Sequence, residues 1–101
     1  MQDSLTITTP DDWHLHLRDN QTLATTVPHA ADRVDRAIIM PNLAPPVTSI
    51  ALANAYKQRI VSHIPEGKTF KPLMTLYLTS ALTPEHIEAA KQAGIVAVKY
   101  Y

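Results

Sequence analysis

The sequence predicts an α/β fold, roughly the N-terminal (β/α)4 half of a (β/α)8 TIM barrel, with residues 1–101 forming one barrel domain that is incomplete at its C-terminus. Three observations predict it. Strand-like and helix-like segments alternate, with strands about 25 to 35 residues apart, the spacing of successive right-handed βαβ units. The later strands are apolar throughout, as strands covered on both faces are. The chain also ends at its fourth strand with no helix to follow, at 101 residues, whereas a closed eight-stranded barrel takes about 250.

Taken in order, a Thr-rich lead-in from Leu5 to Thr9 is punctuated by Pro10, and Asp12-Trp13-His14-Leu15-His16-Leu17 then alternates with the period of a strand. Residues 20–31 place Leu23, Val27, Ala30 and Ala31 at helical spacing, and Pro28 inside that pattern is expected to kink or shorten the helix. Ala37-Ile38-Ile39-Met40, closed by Pro41-Asn42, reads as a buried parallel strand. Thr48 is the expected cap of a helix running to about Ser62, with Ala53, Tyr56, Ile60 and Ile64 on one face and Lys57, Gln58 and Arg59 off it or beside it. Lys71 to Thr79 supplies a third strand with Pro72 at its start. Thr83-Pro84-Glu85 opens a helix that Gly94 stops, and Ile95 to Val98 forms a fourth, fully apolar strand.

Composition narrows the function. Nine Lys plus Arg balance nine Asp plus Glu, so no global field draws the chain to nucleic acid or anionic lipid. An apolar fraction of 46% with 18% charged residues is that of a globular domain, and no stretch approaches the roughly 18 apolar residues of a membrane span. The opening Met1-Gln2-Asp3-Ser4 has no basic region followed by an apolar one, so the expected location is cytoplasmic. Without cysteine, a metal site must use His nitrogen and carboxylate or carbamate oxygen, which directs attention to the five histidines.

The period-two rule puts His14 and His16 on one face of the first strand, with Trp13, Leu15 and Leu17 on the other. Two imidazoles about 6 to 7 Å apart along a strand can converge on one metal ion if other strands add ligands. They can equally be two polar residues on a half-exposed strand. A barrel interior favours the metal, because an unpaired polar ring there is costly. Arg18 continues the His14/His16 face past the strand end, placed for a bidentate clamp on a substrate carboxylate, or else for a surface ion pair with Asp19 or Asp12. Asn42 closes the second strand at the same end and can either bind that carboxylate or cap its own turn. Lys99 shares a face with Ile95 and Ala97. It either snorkels to solvent or, buried and neutral, reacts with carbon dioxide to give an anionic carbamate. His29, His63 and His86 read as helix-surface residues; Tyr100, Tyr101 and the methionines read as packing.

Asp11-Asp12-Trp13-His14-Leu15-His16-Leu17-Arg18-Asp19, Ile39-Met40-Pro41-Asn42 with Pro45-Pro46-Val47-Thr48, and Pro72-Leu73-Met74-Thr75-Leu76-Tyr77-Leu78-Thr79 together resemble the N-terminal part of bacterial monofunctional dihydroorotases, members of the amidohydrolase superfamily. The resemblance covers essentially the whole chain. It implies a (β/α)8 barrel that catalyses the reversible cyclisation of N-carbamoyl-L-aspartate to L-dihydroorotate in pyrimidine biosynthesis, as a homodimer whose partner is that small molecule. It also implies two zinc ions per site that activate the water opening the ring amide, with His14 and His16 as ligands and Lys99, carboxylated, bridging both metals. Arg18 and Asn42 would hold the free carboxylate. The general acid/base and the remaining ligands are expected downstream, so no catalytic residue falls in this segment. Where the family continues as Lys-Leu-Tyr-Pro, this chain has Lys99-Tyr100-Tyr101. The competing reading is a non-catalytic barrel fragment serving as a scaffold or interaction module, against which the intact His14, His16, Arg18 and Lys99 argue.

Overall fold

In the computed structural model, which describes residues 3–101, strands β1 (Asp12–Leu15), β2 (Arg36–Ile39), β3 (Lys71–Leu73), β4 (Thr75–Tyr77) and β5 (Ala97–Lys99) alternate with helices α1 (Leu23–Ala31), α2 (Ile50–Val61) and α3 (Pro84–Gln92). A 3-10 turn, Asn20–Thr22, leads into α1. Every pairing is parallel: β1 with β2, β2 with β3, and β4 with β5. Neighbours therefore follow chain order.

The third strand is divided, not continuous as the sequence suggested. Its first half pairs with β2 in the register Arg36↔Lys71, and its second half pairs with β5 in the register Thr75↔Ala97. Met74 lies at the break, where its carbonyl accepts the N–H of Val96 at 3.1 Å. Pro72 has no N–H to give, which limits pairing of the first half to one side. The two neighbours are thereby offset along the strand, a stagger of the kind that curls a parallel sheet.

One face of this sheet belongs to the helices. Leu17, Ala37, Ile39, Met74 and Leu76 are buried in one core with Leu23, Val27 and Ala30 of α1, Ala53, Tyr56 and Ile60 of α2, and Ala90 of α3. Residues of the opposite parity, His14, His16, Ile38, Thr75, Tyr77, Ala97 and Lys99, are consigned to the other face.

Local chemistry sets the helix ends. Ser49, not Thr48, caps α2, because Ser49 has the extended backbone (φ −140°, ψ 162°) that lets its side chain accept the Leu52 N–H. Pro28 lies inside α1 without ending it, and the helix continues to Ala31. The carbonyl it deprives of a partner belongs to Ala24, an exposed residue where water can bond it. Thr83 caps α3 as expected, and His86, read from sequence as a surface residue, completes a capping box by accepting the Thr83 N–H on Nδ1. Gly94 follows with φ 88°, a conformation that favours glycine. No helix among the described residues is long and apolar enough to cross a membrane.

The fourth strand departs from expectation in burial. Val96 is 48% exposed and Val98 36%, since no helix among the described residues covers them. Trp13, at the other edge, is 54% exposed and only stacked by the Arg36 guanidinium. Apolar rows beside unpaired strand edges invite pairing with other chains. The 101-residue chain alone is accordingly expected to self-associate at micromolar concentration; a monodisperse, cooperatively melting monomer in sedimentation and calorimetry would contradict this.

Candidate metal and carboxylate site

β1 opens with the Asp12 carboxylate accepting the His14 N–H at 3.0 Å. Leu15 and Leu17 turn toward the helices, which leaves both imidazoles on the opposite face. Their Nε2 atoms approach to 3.1 Å, with ring centres 5.1 Å apart and planes tilted by 50°. Two nitrogens bound to one tetrahedral zinc at about 2.0 to 2.1 Å stand about 3.3 Å apart, so the observed separation is close to that of two ligands on one ion. The His16 pKa lies below the usual histidine value, through burial first and then the positive charges of Lys99, His14 and Arg18. That favours the neutral ring, whose lone pair a metal requires.

Lys99 ends β5 opposite Tyr77 and donates from Nζ to Asn42 Oδ1 at 2.6 Å, across 57 residues. This contact joins two of the residues singled out by sequence. It gives the half-buried ammonium a side-chain partner on the site's face. Nearby on the same face of β4, Thr75 Oγ1 is buried without a hydrogen-bond partner. The described residues include no cluster of three or more His, Cys, Asp or Glu side chains. The donor set thus fits part of a nitrogen-and-oxygen metal centre, two imidazoles with a lysine beside them, and further ligands would have to come from other segments.

The third component is the turn after β1. Arg18 (φ 62°) and Asn20 (φ 52°) both occupy the left-handed region, which costs an ordinary residue about 1 kcal/mol or more. Three contacts hold the turn there. Thr26 Oγ1 donates to the Leu17 carbonyl at 2.8 Å, and the Tyr56 hydroxyl donates to the Arg18 carbonyl. The Asp19 carboxylate accepts Nε and Nη2 of Arg59 at 2.8 and 2.9 Å, and also the Asn20 N–H. Arg18 makes no ion pair among the described residues, contrary to its surface-pair alternative, because Asp19 is taken by Arg59. A cavity of about 330 Å³ then brings Arg18 and Asn42 into one lining, with Pro45, Val47, Leu52 and Arg59. His16 also borders a groove on the helix side, between β1 and α1, with His29 and Arg33, and neither His14 nor His16 lines the cavity that Arg18 and Asn42 share.

Sequence reasoning missed Tyr56, Asp19 and Arg59 as parts of the site. Tyr56 had been placed among the apolar residues of α2 and Arg59 on its flank. Their partners lie 38 and 40 residues away, and no local pattern signals such a contact. His63 and His29 keep helix-end positions, His63 against the Arg59 carbonyl and His29 with its carbonyl bonded by Arg33. Met40 and Met74 pack in the interior, whereas Tyr100 and Tyr101, also expected to pack, are exposed; Met1 lies outside the described residues.

Burial by itself would raise the Asp19 pKa, but the Arg59 guanidinium and the Asn20 N–H outweigh it and hold the carboxyl below its ordinary 3.8. A depressed folded-state pKa contributes stability that is present above the unfolded value and lost as pH falls through the folded one. The difference in unfolding midpoint between the parent protein and Asp19→Asn is therefore expected to be constant near neutrality and to shrink below pH 3.8, followed by circular dichroism across a pH series.

No protein-family model matches the chain. It is 61% identical to a dihydroorotase of Acidovorax sp. (strain JS42) over 99 residues, 98% of this chain and 28% of that relative. It is likewise 61% identical to a dihydroorotase of Teredinibacter turnerae over 101 residues, 100% of this chain and 29% of the relative. The chain thus spans less than a third of the curated relatives it matches. Among solved structures, the dihydroorotase of Campylobacter jejuni aligns with 92% of this chain and 27% of its own, at a TM-score of 0.85 and 40% identity. The Saccharomyces cerevisiae dihydroorotase in complex with 5-fluoroorotic acid aligns with 91% of this chain and 25% of its own, at a TM-score of 0.77 and 38% identity.

Proposed function

We propose, for a chain that is dihydroorotase-like along its whole length, that it forms the N-terminal part of a (β/α)8-barrel dihydroorotase and contributes half of the active-site mouth. The reaction is the reversible cyclisation of N-carbamoyl-L-aspartate to L-dihydroorotate, in pyrimidine biosynthesis. One observation carries this reading. At the C-terminal ends of three parallel strands, His14 pairs with His16 and Lys99 with Asn42, and Asn42 in turn lines the cavity that holds Arg18. Strands paired in chain order place their C-terminal ends side by side, where α/β barrels keep their chemistry.

Within that reading, His14 and His16 would hold one zinc, and Lys99, carboxylated, would bridge it to a second. The metals supply Lewis-acid polarisation of the ring amide carbonyl and a lowered pKa for the attacking water. The chain's own residues bind and orient. Arg18 can offer two parallel N–H donors to the substrate's free carboxylate, and the Asn42 amide lies in the same cavity to add a third. Carboxylation of Lys99 would leave one N–H on its nitrogen, still able to donate to Asn42 Oδ1. A likeness to the complex of the yeast enzyme with 5-fluoroorotic acid, a cyclic pyrimidine carboxylate, supports a ligand of this shape.

Two expectations test the assignment in the full-length protein. His14→Ala and His16→Ala should each lower zinc content and activity together, and Lys99→Arg should lose paired-metal binding as fully as Lys99→Ala, because a guanidinium stays protonated and forms no carbamate. Metal analysis showing two zinc ions in any of these variants would remove that residue from the centre. Arg18→Lys, by contrast, should keep its zinc and lose about 30- to 1,000-fold in kcat/KM, equivalent to about 2 to 4 kcal/mol, through loss of the bidentate geometry. Unchanged kinetics would make Arg18 a bystander.

A further inference from the structure

Arg18 reaches the cavity from a turn that its own residues do not favour. Left-handed backbone at both Arg18 and Asn20 has no glycine to relieve it, and the segment is exposed at Arg18 itself. An arginine in the ordinary extended region would carry its side chain to a different side of the strand end. What keeps it in place comes from α2, the helix on the far side of the sheet from the imidazoles.

We propose that Tyr56 and the Asp19–Arg59 pair are positioning residues that fix Arg18 for the substrate carboxylate, an inference that rests on the dihydroorotase reading above. The three consecutive residues of the turn are each tied down at a different atom. Leu17 is 1% exposed, and its carbonyl accepts Thr26 Oγ1. The Arg18 carbonyl accepts the Tyr56 hydroxyl, and Tyr56 is itself 1% exposed, so its ring has no freedom to follow a moving turn. Asp19 is gripped at both carboxylate oxygens by Arg59. Among the described residues the Arg18 side chain makes no ion pair or hydrogen bond, and it stands in the lining it shares with Asn42.

The same pair also sorts the charges. Asp19 is the sequence neighbour of Arg18, lines the same cavity and carries the charge that could quench it. Arg59 lines the same cavity and would otherwise compete for an incoming carboxylate. By neutralising one another in a two-bond pair, they leave one guanidinium for one substrate carboxylate. Burial and the negative charge of Asp19 push the Tyr56 hydroxyl pKa upward, which keeps it a donor throughout the working pH range.

A kinetic double-mutant cycle in the full-length protein tests the inference. Tyr56→Phe keeps the buried ring and deletes one hydrogen bond. It is expected to raise KM for N-carbamoyl-L-aspartate and L-dihydroorotate roughly five- to tenfold, with kcat and zinc content little changed. If Tyr56 acts through Arg18, the double variant Tyr56→Phe/Arg18→Lys should be no worse than Arg18→Lys alone. Arg59→Lys, which keeps the charge of its pair, should retain more of the parent KM than Arg59→Ala. Losses that simply multiply in the double variant, or a Tyr56→Phe enzyme with parent KM, would overturn the inference while leaving the dihydroorotase reading intact. Absence of any ring-closing activity in the unaltered full-length protein would overturn that reading, and the inference with it.

Discussion

A parallel strand flanked by helices has two faces and only one of them is free, and the rest of this structure depends on that constraint. Once Leu15, Leu17, Ala37, Ile39 and Leu76 are spent on the core, the alternate positions have nowhere to go but the opposite face. Polar residues placed at those positions converge without any further device. His14 and His16 meet because they are two apart on one strand. Lys99 meets Asn42 because β5 and the end of β2 flank the divided third strand from opposite sides. A register slip of one residue in β1 would drive both imidazoles into the helix layer and put Leu15 and Leu17 in the mouth.

The order of strands and the partition of faces were legible in the sequence, for the reason that both are written in short-range periodicity. Period-two alternation in Trp13 to Leu17 and the unbroken apolar run at Ala37 to Met40 point to the side chains of the core, and Leu17, Ala37, Ile39 and Met40 are buried there, while Trp13 at the sheet edge stays exposed. The chemistry-bearing residues were legible for the same reason, as the polar exceptions in otherwise apolar strands. The division of the third strand at Met74 was not, because it arises from unequal offsets of its two neighbours, a property of the sheet and not of residues 71–79. Nor was the shift of the α2 cap by one residue from Thr48 to Ser49, since both have a suitable hydroxyl and only the backbone angles decide between them.

The contacts that escaped the sequence share one property: each joins a loop to a helix across more than 35 residues. Tyr56 satisfies the apolar pattern of α2 with its ring and serves the turn after β1 with its hydroxyl, so a periodicity argument accounts for it fully while missing half of what it does. Arg59 lies at the flank of the same helix face, one turn further on, and meets Asp19 there. A helix whose apolar stripe carries a polar tip at its edge can thus act as the scaffold of a loop that is remote in sequence.

Charge explains why the polar face is arranged as a receiving surface. Lys99 and Arg18 both act on His16, while the one acid of the adjoining turn, Asp19, is already neutralised by Arg59. Gathering like charges is unfavourable, and the partial burial of Asn42 and Lys99 makes it more so by limiting the water that could screen them. Anions bound there would relieve it. In the proposed reading two do so at different points: a carbamate on Lys99 replaces a positive charge with a negative one beside the imidazoles, and the substrate carboxylate answers Arg18 in the cavity. Neither imidazole lines the cavity that holds Arg18 and Asn42, so in the proposed reading the substrate would present its amide toward the imidazoles and its carboxylate toward Arg18. In that reading, dihydroorotate and N-carbamoyl-L-aspartate suit the arrangement, each carrying a carboxylate a few bonds from the amide carbonyl.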